Sequence, residues 1–308
     1  MIEIMNINPI LLVASLMVSA TPILLAAIGE MVVEKSGVLN LGVEGMMIIG
    51  AVVGFAVAIL TSNPLIGFIA AAFAAALLSL VFGVLTQVLL ANQVASGLGL
   101  TLFGLGLSAM IGKNYEGKQA PSLGKFEIPF LSDIPIFGKT FFSHDLIVYF
   151  ALLLVLATYL FLMRSRHGLV LRSVGENHDA AHALGYNVVR VRLLAIMFGG
   201  ACSGLGGAYV SLVRVPQWTE GMTAGAGWIA LAIVVFSNWK PWRVLVGAYL
   251  FGGVSVLQLN LQAAGSKIPV EYLSMAPYLI TILVLVFMSV RGKQASPASL
   301  GKVFHKSG

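Results

Sequence analysis

Residues 164–192 read RSRHGLVLRSVGENHDAAHALGYNVVRVR, and the reading of this stretch decides the fold. It is a long, basic, partly helical loop set between two apolar runs, each long enough to be a membrane helix. A loop of this size between two spans is expected to touch something in the water that it faces.

Working outward, apolar residues make up 58% of the 308 and charged residues only 10%, with a mean hydropathy of +0.96. Ordinary soluble domains carry about 25% charged residues, so a water-soluble fold is excluded. The single cysteine, Cys202, sits in an apolar, Gly-rich run and has no second cysteine to pair with. The formal charge of +6 invites a nucleic-acid partner. The charges gather at span ends rather than on one amphipathic face, which argues against that partner.

About 20 apolar residues cross a bilayer as a helix. On that basis nine spans are expected, near 9–29, 39–60, 64–90, 94–112, 144–163, 193–213, 225–239, 243–262 and 274–290. Several are interrupted by Gly, so a count of 8–10 is open and some segments are candidates for broken or re-entrant helices. Residues 1–8 hold Glu3 and no Lys or Arg before the first apolar run, so that run is expected to remain as a span. With 164–192 placed in the cytoplasm, inside segments hold 12 Lys and Arg and outside segments hold 6. This bias puts the N-terminus outside and the C-terminus in the cytoplasm of a multi-pass protein of the bacterial inner membrane. The expected organisation is a single transmembrane domain, 1–308. Its extracytoplasmic loop, 113–143, contains Pro121, Pro129 and Pro135. The cytoplasmic tail, 291–308, is expected to be a mobile basic end near anionic headgroups.

Gly50 with Gly54, and Gly200 with Gly204, are spaced for close helix packing in lipid, or alternatively for a flexing site. Gly112 to Lys118 has phosphate-loop spacing, but Gln119 stands where Ser or Thr would hold magnesium, and no strand precedes it. We read it as chance. No metal motif or catalytic Ser/His/Asp arrangement appears, so no cofactor, no metal centre and no enzymatic activity are expected.

Polar interruptions of apolar runs are the candidate solute path, because ionisable and amide groups inside a bilayer usually face the bundle interior or water. Asn40 and Glu44 are four apart and would share one face of a helix. Glu30 and Glu34 are instead expected at headgroup level, beside Lys35. Asn92 and Gln93 read equally as a tight turn or as a broken-helix element offering amide donors and acceptors.

EKSGVLNLGVEGMMIIGA, NQVASGLGLTLFGLGL, IPFLSDIPIFGKTFF, GENHDAAHALGYNVVRVR and GWIALAIVVFSNWKP occur in this order. Together they resemble the membrane permeases of bacterial ATP-binding-cassette importers of the branched-chain amino acid, simple sugar and nucleoside group, closest to the nucleoside branch. The resemblance implies an all-α, type II importer permease fold and three protein partners: a paralogous permease, a cytoplasmic ATPase and an extracytoplasmic binding protein. It also implies that Gly175 to Gly185 is the coupling segment that sits in a groove of the ATPase. Within it, beside Asn177, Glu176 and Asp179 would cap or begin its helix, Ala180, Ala181 and Leu184 would form an apolar contact face, and Gly185 would end it. Arg190 and Arg192 would mark the membrane boundary. A simple-sugar permease is the alternative within the group, and a stand-alone secondary transporter or channel is the alternative outside it.

Overall fold

The computed structural model describes residues 9–127, 138, 141–263, 269–291 and 296–305. Pro129 and Pro135 lie outside them. Among the described residues, seven helices are long and apolar enough to cross a membrane: α1 (Pro9–Lys35), α2 (Val43–Thr61), α3 (Pro64–Gly83), α4 (Gln93–Gly112), α5 (Leu146–Arg164), α8 (Val188–Tyr209) and α10 (Pro241–Ala263). Between α5 and α8 lie two short helices, α6 (Arg166–Glu176) and α7 (His178–Ala183). The seventh expected span, 225–239, is the short helix α9 (Ala226–Phe236), and the ninth falls on α11 (Val270–Arg291). α3 and α8 each end in a π-helical turn, Val84–Val88 and Val210–Arg214.

Helix starts follow from side-chain caps, which supply acceptors to backbone N–H groups that have no partner within the helix. Asn63, Asn92, Asp145, Ser165, Asn177 and Asn187 each accept from a backbone N–H in the first turn that follows. Loop 113–143 closes partly as a ribbon, β1 (Lys125–Glu127) pairing antiparallel with β2 (Ser143–Asp145).

The centre of the bundle is a seam of small residues joining α1, α2, α3 and α8. A Cβ on Gly50 would collide with Gly204, one on Gly207 with the Met47 carbonyl, and one on Gly200 with Ser79. In lipid such close approach is what holds helices together, since no water is released when they meet. At these contacts Gly50, Gly200 and Gly204 serve close packing. Of the seam's helices α1, α2 and α8 are mostly enclosed, and α2 is 78% buried along its apolar window against 39% for α3 and 28% for α4.

Contacts sort the loops onto two ends. At one end Gly175 lies on the Lys35 carbonyl, Trp239 reaches Glu34, and residues 296–305 meet Gly37 and Gly175. At the other, Tyr209 bonds Asp145 (2.7 Å) and Gln119 bridges to Gln217. Lys35, the 164–192 loop, the 237–243 turn and the chain end therefore share one face, as the charge count grouped them.

Candidate functional site

The first candidate region is the chain between α1 and α2. Asn40 is not on α2: residues 38–40 have no regular secondary structure and the helix begins at Val43. The four-residue spacing of Asn40 and Glu44 therefore does not place them on one helix face. Gly37, with φ 89°, turns the chain back along α1. The Asn40 amide then donates to Glu30 (3.3 Å), five positions before the end of α1, which at 1.5 Å per residue is about 7.5 Å inside the bundle. Irregular backbone at such depth survives only when protein satisfies it. Gln93 accepts from Leu39 N (2.8 Å), Asn40 accepts from Gly42 N (2.9 Å), and Thr101 donates to the Leu41 carbonyl (3.1 Å).

Glu44 stands at the start of α2, 4% exposed. Its carboxylate accepts from Thr223 Oγ1 (2.5 Å), Gly225 N (3.0 Å) and Gly227 N (2.6 Å). Those backbone donors are the free N–H groups of α9, so a carboxylate from another helix caps it, at the positive end of its dipole. Gly227 has to lack a side chain, since a Cβ there would strike the backbone of Glu44.

Glu30 and Glu34 are not surface groups, and neither pairs with Lys35 among the described residues. Both are buried, at 0% and 1% exposed, and Glu34 accepts from Trp239 Nε1 (2.5 Å). Asn238 and Trp239 are held in the left-handed region, at φ 56° and 53°, a strained geometry of the kind found at functional sites. Glu30 Oε1, Glu34 Oε1 and Gln93 Nε2 are buried with no hydrogen-bond partner among the described residues. Asn92 lies apart from this cluster, exposed, and caps α4 through Ala95 N (3.0 Å).

The second region is the 164–192 loop. Asn177, rather than Glu176 or Asp179, caps α7, its Oδ1 accepting from Ala180 N (2.9 Å), while Glu176 ends α6. Gly185, with φ 87°, follows the end of α7, in the left-handed conformation expected of a C-terminal glycine. The apolar face divides. Ala181 is 2% exposed and packs with Val174, Val188 and Phe304, whereas Ala180 is exposed and Leu184 is 77% exposed.

Sequence reasoning missed two features here. Arg192 is not a boundary marker but a fully buried hub. Its guanidinium donates to the carbonyls of Ser36 and Lys302 and to Gln87 Oε1, each at 3.2 Å, and lies 3.2 Å from His178 Nδ1. The tail was expected to be mobile, yet residues 296–305 pack against the loop. Ser299 N donates to the Gly175 carbonyl (2.9 Å), Gly301 N donates to the Gly37 carbonyl (3.1 Å), and Phe304 stands edge-on to the rings of His178 and His182. Pro297 and Gly301 flanking a Ser-Leu pair were the signal of a turn, and Phe304 was the apolar residue that a solvated tail does not need.

A profile described as branched-chain amino acid transport system / permease component matches residues 12–285. The chain belongs to this family. Similar proteins include a putative glucose ABC transporter permease protein of Haloferax volcanii, 38% identical over 94% of this chain and 95% of the relative. A guanosine ABC transporter permease protein of Bacillus subtilis is 36% identical over 92% and 93%. A nucleoside ABC transporter permease protein of Lactococcus lactis is 33% identical over 96% and 97%. Each of these organisms supplies a second, more distant permease of the same description, 23–26% identical. No solved structure matches the chain. This permease is thus an ABC transporter subunit of the membrane-spanning kind, and its two regions divide into an enclosed polar core and a loop with one open side.

Proposed function

We propose that this permease forms half of the path of an ABC importer for nucleosides, delivered by an extracytoplasmic binding protein and driven by separate ATPase subunits. The observation that carries the coupling role is the asymmetry of α7. Its inner side is braced by Val174, Val188 and Phe304, while Ala180, Ala183 and Leu184 are left open. A helix held rigidly from behind and apolar in front suits insertion into a groove of another protein. The end carrying α7 and most Lys and Arg residues faces the cytoplasm in this reading, following the positive-inside rule.

Asn40, Glu44, Asn92 and Gln93 are proposed to serve the path in two ways. Glu44 and Asn40 hold the re-entrant backbone in place, while Gln93 Nε2, buried without a partner, offers a donor for a polar solute. A buried donor of this kind discriminates, since a solute lacking the matching acceptor leaves it unpaired. The second partner is proposed to be a paralogous permease, supported by the paired relatives from three organisms. The nucleoside assignment follows the guanosine and nucleoside relatives, and the glucose relative makes a sugar the second reading. Uptake of labelled guanosine, uridine, glucose and ribose into proteoliposomes holding both permeases, the ATPase and the binding protein decides between them. Guanosine or uridine uptake dependent on ATP supports the assignment. Sugar uptake alone overturns it, and uptake without ATP overturns the importer itself.

A further inference from the structure

One cavity lies where the 164–192 loop leaves the membrane. It has a volume of about 750 Å³, within the 300–1,000 Å³ range of small-molecule sites. Its walls come from α1, α5, α6 and α8, and they are almost wholly apolar: Val32, Leu154, Phe161, Leu171, Leu194 and Phe198 are typical. Leu194, at 59% exposed, and Phe161 open it sideways, on the flank of the bundle between α5 and α8.

Apart from Thr158, on α5, its polar groups are not scattered. His167, Tyr186, Asn187 and Arg190 lie at the junctions where α6 begins and α8 begins, which is the loop end of the two long helices. Among the described residues, neither the Arg190 guanidinium nor the His167 ring has a hydrogen-bond or ion-pair partner. At this end Asn187 caps Arg190 N and Tyr186 N donates to the Ala181 carbonyl, which leaves both of those side chains unused. The cavity thus offers a long apolar slot closed at one end by an unpaired cation, with Arg164 and Arg166 close in sequence to its rim.

A sugar or nucleoside does not suit those walls, because its hydroxyls would be buried without partners. A peptide would leave backbone groups unpaired against the same apolar surface. An amphiphile with an acyl chain and an anionic head matches both ends of the site, and the bilayer supplies it at high concentration. Basic pockets between membrane helices on the cytoplasmic side bind acidic lipid heads in this way. We propose that this cavity is a binding site for an anionic phospholipid of the surrounding membrane. Its chain lies between α5 and α8, and its phosphate is held by Arg190 with His167. The site rests on the membrane character of the chain and on its own geometry, and not on the identity of the transported solute.

The test uses the full chain in phosphatidylcholine vesicles, with trace spin-labelled phosphatidylglycerol or spin-labelled phosphatidylcholine as probe. In the wild-type protein the motionally restricted fraction should favour phosphatidylglycerol by roughly five-fold, the effect of one basic group near an anionic head. Arg190→Gln should bring that ratio close to one. Ala157→Trp, which fills the slot, should lower the restricted fraction of both probes. Circular dichroism and size-exclusion profiles report whether each variant folds, and His167→Gln substitutes for Arg190→Gln if the latter does not. Equal restriction of the two probes by the wild type overturns the proposal, as does an unchanged preference in the charge variants. Loss of the restricted fraction when the ATPase binds also overturns it, since the slot is then a protein-docking surface.

Discussion

The re-entrant segment before α2 and the short helix α7 are both irregular, polar interruptions of an apolar chain, and they are finished differently. Around residues 36–42 the chain itself supplies the partners, through Gln93, Asn40, Thr101 and, one turn on, Glu44 gripping α9. Around α7 it supplies partners on one side only, leaving Leu184 open to water. A segment whose backbone is satisfied from within is bound into the fold, whereas a segment closed on one side leaves a face for the second protein proposed above. Substitutions in the first should change stability and transport together; substitutions on the open side of α7 should change transport alone.

The hardest blow to that distinction comes from Arg192, which ties the two regions together. Arg192→Ala leaves the Ser36 and Lys302 carbonyls and Gln87 without a donor. At about 1–3 kcal/mol for each buried group left unpaired, the variant should fall by several degrees or more in a detergent melting curve. Arg192→Lys should recover little, since one ammonium does not reproduce the spread of a planar guanidinium. Wild-type melting in either variant would detach the loop from the re-entrant segment.

Glu44→Gln comes next. The amide keeps one acceptor oxygen but sets an NH2 against another donor, at a cost of about 2 kcal/mol. It should lower the uptake rate while leaving the affinity of the binding protein for its solute unchanged, as measured by calorimetry. The two sides of α7 give the sharpest contrast. Ala181→Arg overfills a closed seam and should destabilise by about 1–3 kcal/mol. Leu184→Arg should stay within 0.5 kcal/mol of wild type in melting, yet separate ATP hydrolysis from uptake in proteoliposomes.

The smallest effect is one of pH. Burial, and next the Arg192 guanidinium, hold the pKa of His178 below its ordinary 6.5, with Asp179 opposing and Lys302 assisting. The unfolded or undocked loop therefore takes up a proton more readily than the packed one. Docking of the tail should be complete above about pH 6.5 and weaken as the pH falls below it. Protease cleavage of the tail followed against pH should show this slope, and His178→Gln should flatten it.

Much of the fold was legible because hydropathy and capping are local. Asn92, Asp145, Asn177 and Asn187 stand next to the helices that they start, and the nine apolar runs all became helical. The partners of Glu44 lie about 180 positions away, so its grip on α9 is absent from any window of sequence. Asn40 looked helical because it precedes an apolar run, and only the turn at Gly37 removes it. Arg192 carried the same charge as its neighbours in the loop, and nothing local marked it as the buried one.

The packing of Ser299, Gly301 and Phe304 against the loop has a consequence for how the subunit is made. Those residues follow the loop by about 110 positions, so they leave the ribosome well after the loop that they complete. A chain whose synthesis stops before Ser299 has α7, with Val174 and Val188 behind it but not Phe304. The support behind α7 is therefore finished only once residues 296–305 have been made, which makes them a mark of how far synthesis has gone.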